Sequence, residues 1–213
     1  MRTLCAAIVT TTAMFAWCGG AYAITAGQSD DFQDGTTLNW SGGGGEANIT
    51  TGGPAGAGDK YLQYTSNSNL ATYNLNQWAG DYAAPAITDV SADLMDLPTQ
   101  SPLSMRIVLF GPTGSRWTST TATSIPADGQ WHHVVFSIRQ ADLINVLNSG
   151  DTYAQTVGGV SRLMFRHDTA GSSGGSPFTG SAGLDNVTAV AAPEPTSLAL
   201  LAMAGLLLKR KRA

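Results

Sequence analysis

The sequence predicts an all-β protein: an antiparallel β-sandwich, most simply a jelly roll, with one short helix and an apolar helix at either end. Three observations carry this prediction. Apolar and polar residues alternate with a period of two in one short run after another. Clusters of Gly, Pro, Asn and Asp separate the runs. The composition of the 213 residues, with 25 Gly and only 12% charged residues, suits strands joined by turns better than helical bundles. A hydrophobic fraction of 43% is enough to build a core and argues against a disordered chain.

In chain order, the first element is an apolar stretch from Leu4 to Cys18 behind Arg2, followed by Gly19-Gly20-Ala21-Tyr22-Ala23. Small residues at Ala21 and Ala23 match a secretory signal peptide cut after Ala23. A buried first helix would not carry the Gly19-Gly20 pair, and Trp17 directly before Cys18 does not suit a lipoprotein cysteine. Both cysteines, Cys5 and Cys18, lie in this segment, so the exported chain has no disulfide, no thiol chemistry and no cysteine-ligated metal.

Strand-like runs follow at Lys60 to Thr65 and Leu70 to Leu75. Val90, Ala92 and Leu94 alternate with Ser91 and Asp93, and Met105, Ile107 and Leu109 alternate with Arg106. His132, Val134, Phe136 and Ile138 share one face, opposite His133 and Ser137, and Leu163 to Arg166 is a further strand. Turns fall at Gly42 to Gly45, Gly52-Gly53-Pro54, Gly111-Pro112, Asp128-Gly129 and Gly171 to Pro177. Gln140 to Asn148 breaks the pattern: Leu143, Val146 and Leu147 have helical spacing behind Asp142 as a cap, which predicts the short helix.

The C-terminus reads Pro193-Glu194-Pro195, then an apolar segment from Leu198 to Leu208, then Lys209-Arg210-Lys211-Arg212. At about 1.5 Å per residue this segment spans roughly 17 Å, against a bilayer core of about 30 Å. A transient, processed membrane anchor fits that length better than a permanent one, with the basic residues on the cytoplasmic side. The chain therefore divides into a signal peptide (1–23), a sandwich domain (24–192) and a tail (193–213). Residues 24–192 hold six basic and 14 acidic residues, a formal charge of −8, whereas the whole chain carries −4. An acidic body with no basic block excludes nucleic acid as a partner.

The order Pro-Glu-Pro, apolar helix, Arg/Lys cluster resembles the PEP-CTERM sorting signal of Gram-negative bacteria. The resemblance implies processing by an exosortase, a membrane transpeptidase, with export to the cell surface or extracellular matrix. In the body, Asp31-Phe32 ahead of Trp40, Trp78-Ala79-Gly80-Asp81-Tyr82, Trp131, Leu163-Met164-Phe165-Arg166 and Gly183-Leu184-Asp185-Asn186-Val187 follow one another. That order resembles laminin IV (laminin B) domains and carbohydrate-binding-module jelly rolls. It implies a non-catalytic adhesive or glycan-binding module whose closing strand pairs beside its opening one. It also implies a structural Ca²⁺ where those strands meet, with Asp30, Asp31 and Asp185 as oxygen ligands.

Catalytic readings fare worse. Gly171-Ser172-Ser173-Gly174-Gly175 fits G-x-S-x-G but lies in a Gly/Ser tract without the strand and helix of a nucleophile elbow. A glycosidase needs paired carboxylates, and the body holds one Glu, Glu46, so a glycan-active hydrolase would have to use an Asp-based site. His132 and His133 are adjacent and point to opposite faces of a strand, and His167 ends another strand, so a zinc site is not indicated. Glycan contact calls for exposed aromatic rings with polar neighbours. Trp78, Tyr82 and Trp117 stand in loop-like stretches with Asp81 and Arg116 beside them, and each is either a core-edge residue or a ligand contact. Trp40 and Trp131 read as core residues at strand starts.

Overall fold

The computed structural model describes residues 24–193 apart from 43 and 99. The predicted signal peptide with Ala23, and the tail from Glu194 and Pro195 onward, lie outside the described residues; Pro193 is the last described and is exposed. Among the described residues no helix is long and apolar enough to cross a membrane.

The strands are β1 (Ser29–Asp30), β2 (Ser41–Gly42), β3 (Glu46–Ile49), β4 (Tyr61–Ser66), β5 (Ala71–Asn74), β6 (Ile87–Asp96) and β7 (Leu103–Phe110). They continue as β8 (Arg116–Ser119), β9 (Thr123–Ile125), β10 (Trp131–Ser137), β11 (Leu143–Leu147), β12 (Arg162–His167) and β13 (Gly180–Ala191), with helix α1 at Tyr153–Val157. All pairings between strands are antiparallel. A six-stranded sheet has the order β10-β6-β13-β4-β3, with β1 added against β13. A seven-stranded sheet has the order β11-β8-β7-β12-β5-β2, with β9 added against β7. The chain crosses repeatedly between the sheets, and its opening strand β1 pairs with its closing strand β13.

Period-two alternation sets the core. Leu62 and Tyr64 of β4, Val90, Ala92 and Leu94 of β6, and Phe136 of β10 face inward from the six-stranded sheet. Met105, Ile107 and Leu109 of β7 and Leu163 and Phe165 of β12 meet them from the other. Phe165 lies at the centre, its ring 5.6 Å from Trp40 and 5.5 Å from Phe136. Each such buried side chain stabilises the fold by about 1.5–3 kcal/mol relative to exposure.

The helix expected at Gln140 to Asn148 is instead a 3-10 turn, Gln140–Asp142, running into strand β11 at the sheet edge. Leu143 and Ile144 pair with Ser119 and Thr118, and a register shift between Asn145 and Leu147 marks a bulge. The bulge accommodates apolar residues at irregular spacing, and pairing with β8 overrides the local helical pattern. The short helix lies just downstream at α1. Thr152 accepts from the Gln155 backbone N–H and the Gln155 side chain accepts in return from the Thr152 backbone, a capping box.

Candidate functional site

On β12, Leu163 and Phe165 point into the core, so Arg162, Met164 and Arg166 must point out. Pairing extends that outward row across the sheet. Arg162 lies opposite Phe110, Met164 opposite Val108 and Arg166 opposite Arg106 on β7. Tyr73 of β5 lies opposite Met164, and Arg116 of β8 opposite Phe110. The outer face of the seven-stranded sheet thus collects Arg106, Arg116, Arg162 and Arg166, four of the six basic residues in 24–192.

The arginines are held in different ways. The Arg162 guanidinium lies 4.5 Å from the centroids of both Tyr73 and Phe110, and Arg116 lies 5.0 Å from Phe110. Arg106 is buried, donating from Nε to the Asp168 carbonyl at 2.8 Å and from a terminal nitrogen to the Ser119 carbonyl. Arg166 donates to Asp168 Oδ2 at 2.8 Å, to the Ser173 carbonyl at 2.9 Å and to the Ser172 carbonyl. Arg116 also reaches the Ser173 carbonyl. Burial pulls the Arg166 pKa below its ordinary value; Asp168 opposes this, and Arg116 and Arg106 add to it.

The carbonyls belong to a loop, residues 168–176, that lies along one side of the face. Its centre is Asp168, whose Oδ1 accepts from the Ala170 and Gly171 N–H groups and whose Oδ2 accepts from Ser172. Between the loop and the sheet is a pocket of about 120 Å³ lined by Phe110, Arg116, Arg162, Met164, Arg166 and Ser173 among others. The Arg162 side chain makes no hydrogen bond or ion pair among the described residues, and the Nε groups of Arg116, Arg162 and Arg166 are buried without partners. His167 beside them is structural. Its Nδ1 accepts from the Ser104 N–H at 3.0 Å, and burial lowers its pKa against the opposing influence of Asp168.

Trp78, Tyr82 and Trp117, each a core-edge residue or a ligand contact by sequence, face the core. Trp78 and Tyr82 are fully buried: the Trp78 indole donates to Asp30 Oδ2 at 2.7 Å, and the Tyr82 hydroxyl donates to the Trp78 carbonyl. Trp117 pairs opposite Leu109, which puts it on the core side of β8, edge-on to Tyr153 at 5.7 Å. Trp40 is a core residue as expected, while Trp131 lies on the outer side of β10 and is only partly buried.

Of the proposed calcium ligands, Asp31 lies near enough to Asp185 to act on its charge, but the three do not form one cluster. Asp30 Oδ2 already accepts three donors: the Trp40 and Trp78 indoles, each at 2.7 Å, and the Gln77 amide at 3.0 Å. Asp31 is exposed and caps the Gln33 backbone N–H. Asp185 is fully buried, with Oδ1 accepting from the Asn186 N–H and Oδ2 unpartnered. Among the described residues no group of three or more side chains of metal-ligating type is gathered. The set Asp30, Asp31 and Asp185 therefore does not fit Ca²⁺, which takes six to eight oxygens.

Asp185 has another distinction. Burial, reinforced by Asp59, Asp93 and Asp31, raises its pKa to about 7 against the influence of its backbone hydrogen bond. Such a value suits a general acid, but with no exposed surface the group cannot meet a substrate. His132 and His133 diverge as expected, toward Asp128 at 3.1 Å and Asp93 at 2.8 Å respectively.

No family model matches the sequence, and no curated protein matches it. Solved structures do. The chain is similar to a family 11 carbohydrate-binding module from Clostridium thermocellum, in complex with a β-1,3-1,4-mixed-linked tetrasaccharide. The TM-score is 0.53 at 12% identity over 81% of this chain and 99% of that one. The family 11 module of the cellulase Lic26A-Cel5E, also from Clostridium thermocellum, gives 0.52 at 12% identity over 81% and 98%. An exo-β-agarase gives 0.55 at 13% identity over 77% of this chain and only 25% of the enzyme. At these identities the likeness is one of fold: the chain is an antiparallel jelly-roll β-sandwich of the kind seen in carbohydrate-binding modules.

Proposed function

We propose that this protein is an exported, non-catalytic carbohydrate-binding protein of the cell surface or extracellular matrix, and that its ligand lies across the outer face of the seven-stranded sheet. The observation that carries this reading is the pair of half-buried arginines, Arg162 and Arg116, stacked on Tyr73 and Phe110 with a pocket beside them, on a sandwich similar in fold to carbohydrate-binding modules. A binding face needs planar groups and hydrogen-bond donors at fixed positions, and stacked arginines on a rigid sheet supply both. The acid with the catalytically useful pKa, Asp185, is sealed away from solvent.

Export rests on the sequence: the signal peptide ending at Ala23 delivers the body across the inner membrane, and Pro193-Glu194-Pro195 marks the tail for an exosortase-type enzyme while the apolar segment holds it transiently in the membrane. The binding proposal is tested by affinity electrophoresis of the purified protein through gels containing a range of polysaccharides. Retardation by at least one is expected; mobility unaffected by all of them would refute glycan binding. Release of reducing ends from any of them would overturn the non-catalytic assignment. For the tail, changing Pro193, Glu194 and Pro195 to alanine should leave unprocessed protein in the membrane fraction, and normal release would remove the sorting role.

A further inference from the structure

We infer that the ligand of this face is an acidic polysaccharide, a chain bearing carboxylate or sulfate groups that the guanidinium groups of Arg162 and Arg116, neither paired with a carboxylate among the described residues, receive. The inference rests on the glycan-binding reading and specifies its chemical class. Residues 24–192 carry a formal charge of −8, yet four of their six cations share one face of one sheet. Among the described residues a single carboxylate, Asp168, forms an ion pair with any of the four. The face thus holds an excess of positive charge inside a negative domain.

Stability does not account for that arrangement. Guanidinium groups set side by side repel one another, and partial burial removes the water that would screen them. Two of the four, Arg106 and Arg166, have tasks inside the protein, since they anchor the 168–176 loop through its carbonyls and Asp168. Arg162 has none: it rests on two aromatic rings, with no hydrogen bond and no carboxylate among the described residues. Arg116 uses one nitrogen on the Ser173 carbonyl and leaves its Nε without a partner. A planar guanidinium matches a carboxylate or sulfate through paired N–H donors, an interaction stronger than hydrogen bonds between neutral groups.

The aromatic rings point the same way. A neutral sugar is bound by stacking on open ring faces, but here Arg162 lies over both Tyr73 and Phe110. What the platform presents to a ligand is a guanidinium fixed in its plane, selective for charge before shape. The adjoining pocket of about 120 Å³ is lined by Arg116, Arg162 and Arg166 and no acidic residue, so an anionic substituent can enter while the sugar chain runs over the sheet.

The test is isothermal titration of the full exported protein with polygalacturonate, with dextran sulfate, with uncharged dextran and mixed-linkage β-glucan, with polyglutamate and with sodium sulfate alone. Binding is expected to one or both acidic polysaccharides, weakening as salt rises, with at least tenfold loss in Arg162→Gln and in Arg116→Gln. Arg162→Lys, which keeps the charge and loses the fork, should also weaken binding, and it serves if the glutamine variant folds poorly. Arg139→Gln, which removes a cation paired with Asp89 away from this face, should bind like the parent. Binding of a neutral glycan with the arginine variants unaffected would overturn the acidic ligand and leave glycan binding standing. No binding to any polysaccharide would overturn both readings. Equal binding of polyglutamate or of free sulfate would overturn the polysaccharide as the ligand.

Discussion

Asp30 gathers the indole N–H groups of Trp40 and Trp78 and the amide of Gln77 onto one carboxylate oxygen in a nearly solvent-free site. Hydrogen bonds to a charged acceptor contribute about 1.5–3 kcal/mol each, and losing the acceptor strands buried donors. Asp30→Ala should therefore lower the unfolding free energy by about 3–5 kcal/mol in a denaturant titration, with Asp30→Asn milder. A change under 1 kcal/mol would show that the oxygen is dispensable. Asp185 acts in the opposite sense. An aspartate in an unfolded chain titrates at about 3.9, while in the fold Asp185 titrates at about 7. Between these values the folded chain keeps a proton that the unfolded chain has given up. The stability tied to the protonated carboxyl is complete below the lower value and is lost as pH rises through the upper. Asp185→Asn should thus raise the melting temperature at pH 8, and the difference from the parent should shrink toward pH 4. A difference that does not vary with pH would refute this account. At this scale the sequence was least legible. Trp78 looked like a loop aromatic because its partner, Asp30, stands 48 residues away. Asp185 marked the closing strand correctly, but its isolation depends on packing against Gly53 and Asp59 from a distant loop.

Elements are more legible in the sequence, and the exceptions have physical causes. The strands containing Val90–Leu94, Met105–Leu109 and His132–Phe136 alternate cleanly because one side of each meets the core. The same parity put Arg106 opposite Met105 and Ile107, and Arg162 and Arg166 on one side of their strand. Each cation's side of its strand was therefore legible, but their meeting on one face was not, because the neighbours of β12 are set by the sheet order rather than by the chain order. The segment from Leu143 to Leu147 failed because a bulged edge strand mimics helical spacing. The true helix carried its own sign, Thr152 followed three residues later by Gln155. Thr152→Ala removes the capping box and should destabilise the protein by about 1 kcal/mol in denaturant. Thr152→Ser should restore most of it; equal loss in both variants would point away from the cap.

At the scale of the whole molecule the basic residues are unevenly placed between the two outer faces. On the six-stranded sheet Asp89 and Asp93 are paired with Arg139 and His133 and Asp185 is buried, while four arginines with one carboxylate partner, Asp168, lie on the outer side of the seven-stranded one. A cluster of cations on one face attracts a polyanion to that face, an effect that added salt weakens. The described fold begins beside β1 and ends just beyond β13, and these strands are neighbours in the six-stranded sheet. Protein coupled to a support through its C-terminal end should capture acidic polysaccharide with the same stoichiometry as free protein. Coupling through a cysteine placed at Met164 should abolish capture, and equal capture in both orientations would place the ligand elsewhere. The pairing of β1 with β13 thus has a consequence for assembly. Both ends of the described fold lie on one side of the sandwich, so attachment there would leave the opposite side free to meet a polymer.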